Sequence, residues 1–124
     1  EQNKLNFERF VNLMRLAYSK EVVKLIEWVD EISALSRERQ KLFLLNALRL
    51  IRENFMINLG KKDITHMAAY EDDFSVKFSR FVNSENIPYI YKELNDAYNH
   101  ISAYAYARIV LLDMSLKMVR YLHM

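Results

Sequence analysis

The sequence has no cysteine, a single glycine at Gly60 and a single proline at Pro88. Without cysteine there is no disulfide, thiol nucleophile, zinc–thiolate site or iron–sulfur ligand, and a reducing compartment is the natural setting. A chain of this length with average usage would carry about fifteen glycines and prolines together. Sheets draw their tight turns from those residues, so their scarcity argues against β-architecture. One glycine is also too few for a loop that cradles phosphates, and no nucleotide site of that kind is expected. Long apolar runs are missing as well. The longest, Ala103 to Ala107, falls far short of the ~20 residues that cross a bilayer. The first residues, Glu1 to Lys4, are polar and enter a helical pattern directly, unlike a secretion signal. A start at Glu1 rather than Met suggests a piece of a longer protein.

Charge of one sign is also lacking. Eighteen basic residues against sixteen acidic leave a net charge of +2, so the whole-molecule field is weak and gives no indication of nucleic-acid binding. What the chain does have is 52% apolar residues among 124, with 27% charged. That composition supports one hydrophobic core in a single soluble domain spanning residues 1–124. Abundant Leu, Lys, Glu, Arg, Ala and Met favour helices, and the expected fold is an all-α bundle of five to six helices.

Apolar periodicity places the helices. From about Lys4 to Tyr18, Phe7, Phe10, Val11, Met14, Ala17 and Tyr18 share a face. Ser19 is the expected cap of a second helix with Val22, Leu25, Ile26, Val29 and Ile32 inward and Trp28 beside them. Ser36 caps a third, which runs to Leu59, stops at Gly60 and is expected to be central, with Asn46, Arg49 and Glu53 as its one coherent polar strip. Gly60 to Tyr70 is the longest connector. Glu71, Asp72 and Asp73 lead a short helix carrying Phe74, Phe78 and Phe81 and ending at Asn83. Asn86 is the expected cap of a fifth helix, with Pro88 in its first turn and Ile87, Ile90, Leu94, Ala97 and Ile101 inward. A break near Ser102 separates a sixth, about Tyr104 to Leu122. Its expected inner residues are Ile109, Val110, Leu112, Leu116, Val119 and Leu122, and Asp113 and Lys117 form an i, i+4 pair.

Catalytic patterns are hard to find. Three consecutive acids at a helix start point in different directions and complement the helix dipole better than they bind metal. His66, His100 and His123 have no second ligand at metal spacing, and serines such as Ser19 and Ser36 sit where caps explain them. No catalytic residue, metal or cofactor is expected. Two groups remain. Tyr89, Tyr91, Tyr98, Tyr104 and Tyr106 crowd the fifth helix and its exit, and some must face outward, which fits a protein–protein interface. Arg37, Arg39, Lys41 and Arg49 could contact phosphate in a helical nucleic-acid-binding module, with tyrosines as stacking surfaces.

Several stretches resemble a known family. Leu25-Ile26-Glu27-Trp28-Val29-Asp30-Glu31-Ile32, Arg37-Glu38-Arg39-Gln40-Lys41 and Leu48-Arg49-Leu50-Ile51-Arg52-Glu53-Asn54-Phe55 are similar to the C-terminal domain of the delta-prime subunit of bacterial DNA polymerase III. So are Asp73-Phe74-Ser75-Val76-Lys77-Phe78 and the pairing of Asn95, Ala97, Tyr98, His100 and Ile101 with Leu111-Leu112-Asp113. The resemblance implies a collar domain that joins a clamp-loader subunit to its delta and gamma/tau-type partners in a cytoplasmic pentamer. Such a loader places the sliding clamp on primed DNA. In that family the nucleotide and arginine-finger residues lie N-terminal to the collar, and nothing between Glu1 and Met124 matches them.

Overall fold

The computed structural model describes Gln2 to Met124, and Glu1 lies outside the described residues. These residues form six α-helices and no strand: α1 (Gln2–Tyr18), α2 (Val22–Ser33), α3 (Arg37–Asn58), α4 (Ala69–Phe78), α5 (Ile87–Ser102) and α6 (Ala107–Tyr121). Short 3-10 turns, Lys62–Ile64 and Ser79–Phe81, flank α4.

Three helices end in the same way, and in each case a residue takes up a left-handed backbone. Lys20 (φ +58°), Gly60 (φ +79°) and Tyr104 (φ +65°) follow α1, α3 and α5 respectively. Behind each, two backbone N–H groups fold back onto the last turn. Glu21 N–H reaches Leu16 O (3.1 Å), Lys61 N–H reaches Met56 O (2.9 Å) and Ala105 N–H reaches His100 O (2.9 Å), beside the shorter closures from Lys20, Gly60 and Tyr104. This is the Schellman arrangement, which satisfies carbonyls a helix end would otherwise strand. The α5–α6 break near Ser102 is therefore made by a tyrosine doing what glycine usually does.

Ser36 caps α3 as its sequence position predicts, its Oγ accepting from Arg39 N–H at 3.2 Å. Ser19 does not cap α2. It belongs to the Schellman turn of α1, and Glu21, directly before α2, makes no side-chain cap and instead bridges Lys24 at 3.2 Å. Asn86 is not a side-chain cap either. Asn83 holds that turn, its Oδ1 accepting from the N–H groups of Glu85 (3.0 Å) and Asn86 (2.9 Å). The fully buried Asn86 amide is free to donate to Phe81 O (2.7 Å) and Tyr121 O (3.0 Å). α4 stops at Phe78, before the 3-10 turn and short of Asn83.

One apolar core runs through the bundle. α1 packs on α2, α3, α4 and α6, and α3 packs on α1, α4 and α5, so the centre is shared between α1 and α3. The α5 stripe holds, with Ile90, Leu94, Ala97 and Ile101 buried. The α1 stripe holds as well, with Phe7, Phe10, Val11, Met14 and Ala17 buried and Tyr18 exposed. On α2 and α6 the inner faces are rotated in part, Leu25, Val29, Ile32 and Leu122 being buried as their spacing predicts. Trp28 is buried, donating to Arg9 O at 3.1 Å and meeting Phe43 edge-on, whereas Val22 is exposed. On α6 the inward set is Leu111, Met114, Ser115, Met118 and Tyr121, while Ile109 and Leu116 face out. The α3 strip is covered too, Asn46 and Glu53 being buried and Arg49 half-buried, because residues 65–71 lie over it. Arg49 Nη2 meets Glu71 Oε2 at 2.6 Å, and His66 N–H donates to Glu53 Oε2 at 3.3 Å.

Candidate interaction surfaces

Arg37, the first residue of α3, positions the first surface. Its Nη1 donates to Ile101 O (3.0 Å) and Ala105 O (3.1 Å), closing the C-terminal end of α5 with a cation where the helix dipole is negative. The same guanidinium lies 4.9 Å from the centre of the Tyr104 ring. Tyr104 is 80% exposed and Tyr106, at the N-terminal edge of α6, is 67% exposed. A bulky side chain on a left-handed backbone costs roughly 1–2 kcal/mol, and glycine would avoid that cost. Here the strain holds an aromatic face in solvent beneath a fixed cation.

The other tyrosines lie elsewhere. Tyr98 is half-buried, its ring 6.0 Å from Lys41 Nζ. Tyr89 stacks on Tyr121 with centroids 5.6 Å apart, and Tyr91 is exposed beside it in sequence. Both sit near the opposite end of α5, roughly 20 Å of helix rise from Tyr104. The five tyrosines thus form two separate ends with Tyr98 between them.

The basic residues do not make one face. Arg37 is engaged by carbonyls, Arg49 by Glu71, and Lys41 pairs with Glu38 at 3.3 Å. Arg39, two residues from Arg37, points about 200° around the helix from it and is exposed. Among the described residues no three His, Cys, Asp or Glu side chains gather as a metal site, and no helix is long and apolar enough to cross a membrane.

A second surface was not read from the sequence. α1 and α4 run in the same direction but meet only sparsely, leaving an open groove of about 740 Å³. Its floor is aromatic. Phe7 meets Tyr70 at 5.4 Å and Phe74 at 5.9 Å, Phe74 stacks on Phe78 at 4.8 Å, and the fully buried Phe10 supports Phe78 from beneath at 5.9 Å. Tyr18 and Phe81, 4.8 Å apart, close the far end. The rims are ordered by charge. Glu8 precedes Arg15 on α1, and Asp73 precedes Lys77 on α4, so acids come before bases on both rims, with the Arg15 guanidinium lying 5.9 Å from the centre of the Phe74 ring. Each helix alone reads as an amphipathic core helix; the groove arises where their aromatic rings meet below and their outer edges stay apart.

Both surfaces offer apolar area, ring faces and fixed charges, the ingredients of docking. On the outer face of α6, Lys117 is held above its ordinary range by the hydrogen bond to Asp113 and by the nearby Glu93 carboxylate. Comparison with protein-family models, with curated proteins and with solved structures finds no match to this chain.

Proposed function

We propose that this chain is a non-catalytic assembly domain, the collar piece of a cytoplasmic clamp-loader subunit of delta-prime type. It would dock against the helical domains of delta and gamma/tau-type partners, and act on the sliding clamp and DNA through the assembly. The observation that carries the docking reading is Tyr104. An exposed aromatic ring kept on a strained backbone, with Arg37 against its face and Tyr106 close by in sequence, has the composition of an interface anchor. The sequence resemblance supplies the choice of machine. In this reading the domain contributes rigidity: buried helix–helix contacts fix its outer faces so that the ring stays closed while the rest of the loader moves.

The test is gel filtration of this chain mixed with delta and gamma/tau-type collar domains. Co-elution is expected, and Tyr104→Ala with Tyr106→Ala should weaken it at least tenfold while leaving helical content intact. Elution of separate components with the unaltered chain would remove the proposal.

A further inference from the structure

α6 carries a ridge on the side away from its core face. Ile109, Asp113, Leu116 and Arg120 follow one another at steps of four, three and four residues, which aligns them along one line of the helix. Ile109 is 61% exposed and Leu116 43% exposed. The Asp113 side chain stays 58% exposed even while accepting from Lys117. Two outward aliphatic side chains alternating with an acid and a base form an apolar seam with a built-in polarity.

The groove between α1 and α4 has the matching polarity. Asp113 and Arg120 are seven residues apart, and so are Glu8 and Arg15, about two helical turns in each case. Laid antiparallel to α1, the ridge brings Asp113 to the Arg15 and Lys77 end and Arg120 to the Glu8 and Asp73 end. Leu116 then falls between the charged ends, over Val11 and against the edge of Phe74, whose face carries the Arg15 guanidinium at 5.9 Å. Ile109, one turn beyond Asp113, reaches Tyr18 and Phe81 where the aromatic floor ends. Four successive ridge residues therefore each meet a groove feature of complementary character. In the parallel direction Asp113 would face Glu8 and Asp73, and Arg120 would face Arg15 and Lys77.

We infer that the α1–α4 groove is filled by the α6 ridge of a second copy of this chain. One molecule cannot fill its own groove, because the inner face of α6 packs on α1 and α2 and its ridge points away from them. The contact is heterologous, each copy giving a ridge and receiving one, so association runs head to tail into a ring or an open chain. The inference goes beyond the collar reading and uses none of Arg37, Tyr104 or Tyr106. A partner protein's helix would need the same order of charges, and the chain itself supplies that order.

Sedimentation equilibrium of the full chain tests it. A single helix in a groove is smaller than a standard interface, so the weight-average mass should rise above 14.9 kDa between about 10 µM and 1 mM. Two variants separate the halves of the contact: Arg15→Glu with Lys77→Glu in the groove, and Ile109→Glu with Leu116→Glu on the ridge. All four positions are solvent-exposed, and circular dichroism should show both variants as helical as the parent. Each variant alone should stay at monomer mass. An equimolar mixture should form a dimer that grows no further, since only one intact groove and one intact ridge can meet. If either double variant loses helix, the single changes Arg15→Glu and Leu116→Glu replace it, each weakening association more than about tenfold. A parent chain that remains monomeric at about 1 mM, a variant that still associates, or a mixture that stays monomeric would each overturn the inference. The first result would leave the groove to another protein's helix, and the last would mean a symmetric contact.

Discussion

Arg49 and Glu71 meet at 2.6 Å across the junction of α3 and α4, with the Glu71 side chain 1% exposed and that of Arg49 36% exposed. Glu71 also accepts from Ala68 N–H at 3.0 Å, so a single carboxylate starts α4 and fastens the connector to α3. Ala68 has no side-chain acceptor, and the reciprocal half of a capping box is missing. The two partners are unequal. Removing Arg49 leaves a buried carboxylate without its cation, whereas removing Glu71 leaves an arginine that can turn toward water. Arg49→Ala should therefore destabilise by about 2–3 kcal/mol, discounted from a fully buried pair because Arg49 is partly solvated. Glu71→Ala should cost about 1 kcal/mol, mainly the lost cap. Urea midpoints of the two variants check this, and equal losses would mean the pair is effectively solvated.

The same junction marks the limit of what periodicity reveals. Helix count, order and approximate bounds follow from apolar spacing, and Ser36 and Gly60 mark the ends of α3 by mechanisms local to the chain. Asn46, Arg49 and Glu53 also share a strip as their spacing requires. Whether that strip meets water depends on where the connector lies, which no local pattern encodes. Ile109 and Leu116 misled for a related reason. α6 is apolar on more than half its circumference, so its inner face is chosen by α1, α2 and α5 rather than by its own sequence. Trp28 belongs with them: its inward turn is fixed by the carbonyl of Arg9 and the edge of Phe43. On the candidate surfaces, exposure of Tyr104 and Tyr106 was legible as a surplus of aromatics. The groove was not, because it is a property of the gap between two helices.

Asn86 and Asn83 present a second asymmetry. Asn83 accepts from two backbone N–H groups in a turn partly open to water, and its replacement by Ala should cost about 1 kcal/mol. Asn86 is fully buried and joins three segments, accepting from Asn83 N–H and donating to Phe81 O and Tyr121 O. Asn86→Ala strands Asn83 N–H and Phe81 O, while Tyr121 O keeps Met124 N–H at 3.2 Å, and should cost about 3 kcal/mol. Denaturant unfolding checks the order. In addition, hydrogen exchange of the last turn of α6 should rise in the Asn86 variant alone, since Asn86, unlike Asn83, ties that turn to the segment before α5 through Tyr121 O.

Tyr104 allows strain and function to be separated. Tyr104→Ala keeps a Cβ in the left-handed region and loses the contact with Arg37. Tyr104→Gly loses the same contact but relieves the backbone. The glycine variant should accordingly be more stable than the alanine variant by about 1 kcal/mol. Partner affinity in the gel-filtration assay should fall equally in both, because both lack the ring. If affinity instead follows stability, Tyr104 acts only through the turn, and the anchor role assigned to its ring is wrong.

Lys20 and Gly60 are the controls for that comparison, because they hold the same left-handed conformation at helix ends with no proposed docking role. Space around Gly60 is open, with no neighbouring atom within 4 Å of where an alanine Cβ would stand, so Gly60→Ala isolates backbone strain from steric clash. It should lower stability by about 1 kcal/mol. Lys20→Gly works in the opposite sense. It removes the strain of a non-glycine residue at φ +58° but makes the unfolded chain more flexible, for a net gain of about 0.5 kcal/mol. Thermal melts of the two variants should move in opposite directions, and neither should alter co-elution with the proposed partners. A loss of partner binding in Lys20→Gly would show that helix-end geometry in general, rather than the Tyr104 ring, governs docking.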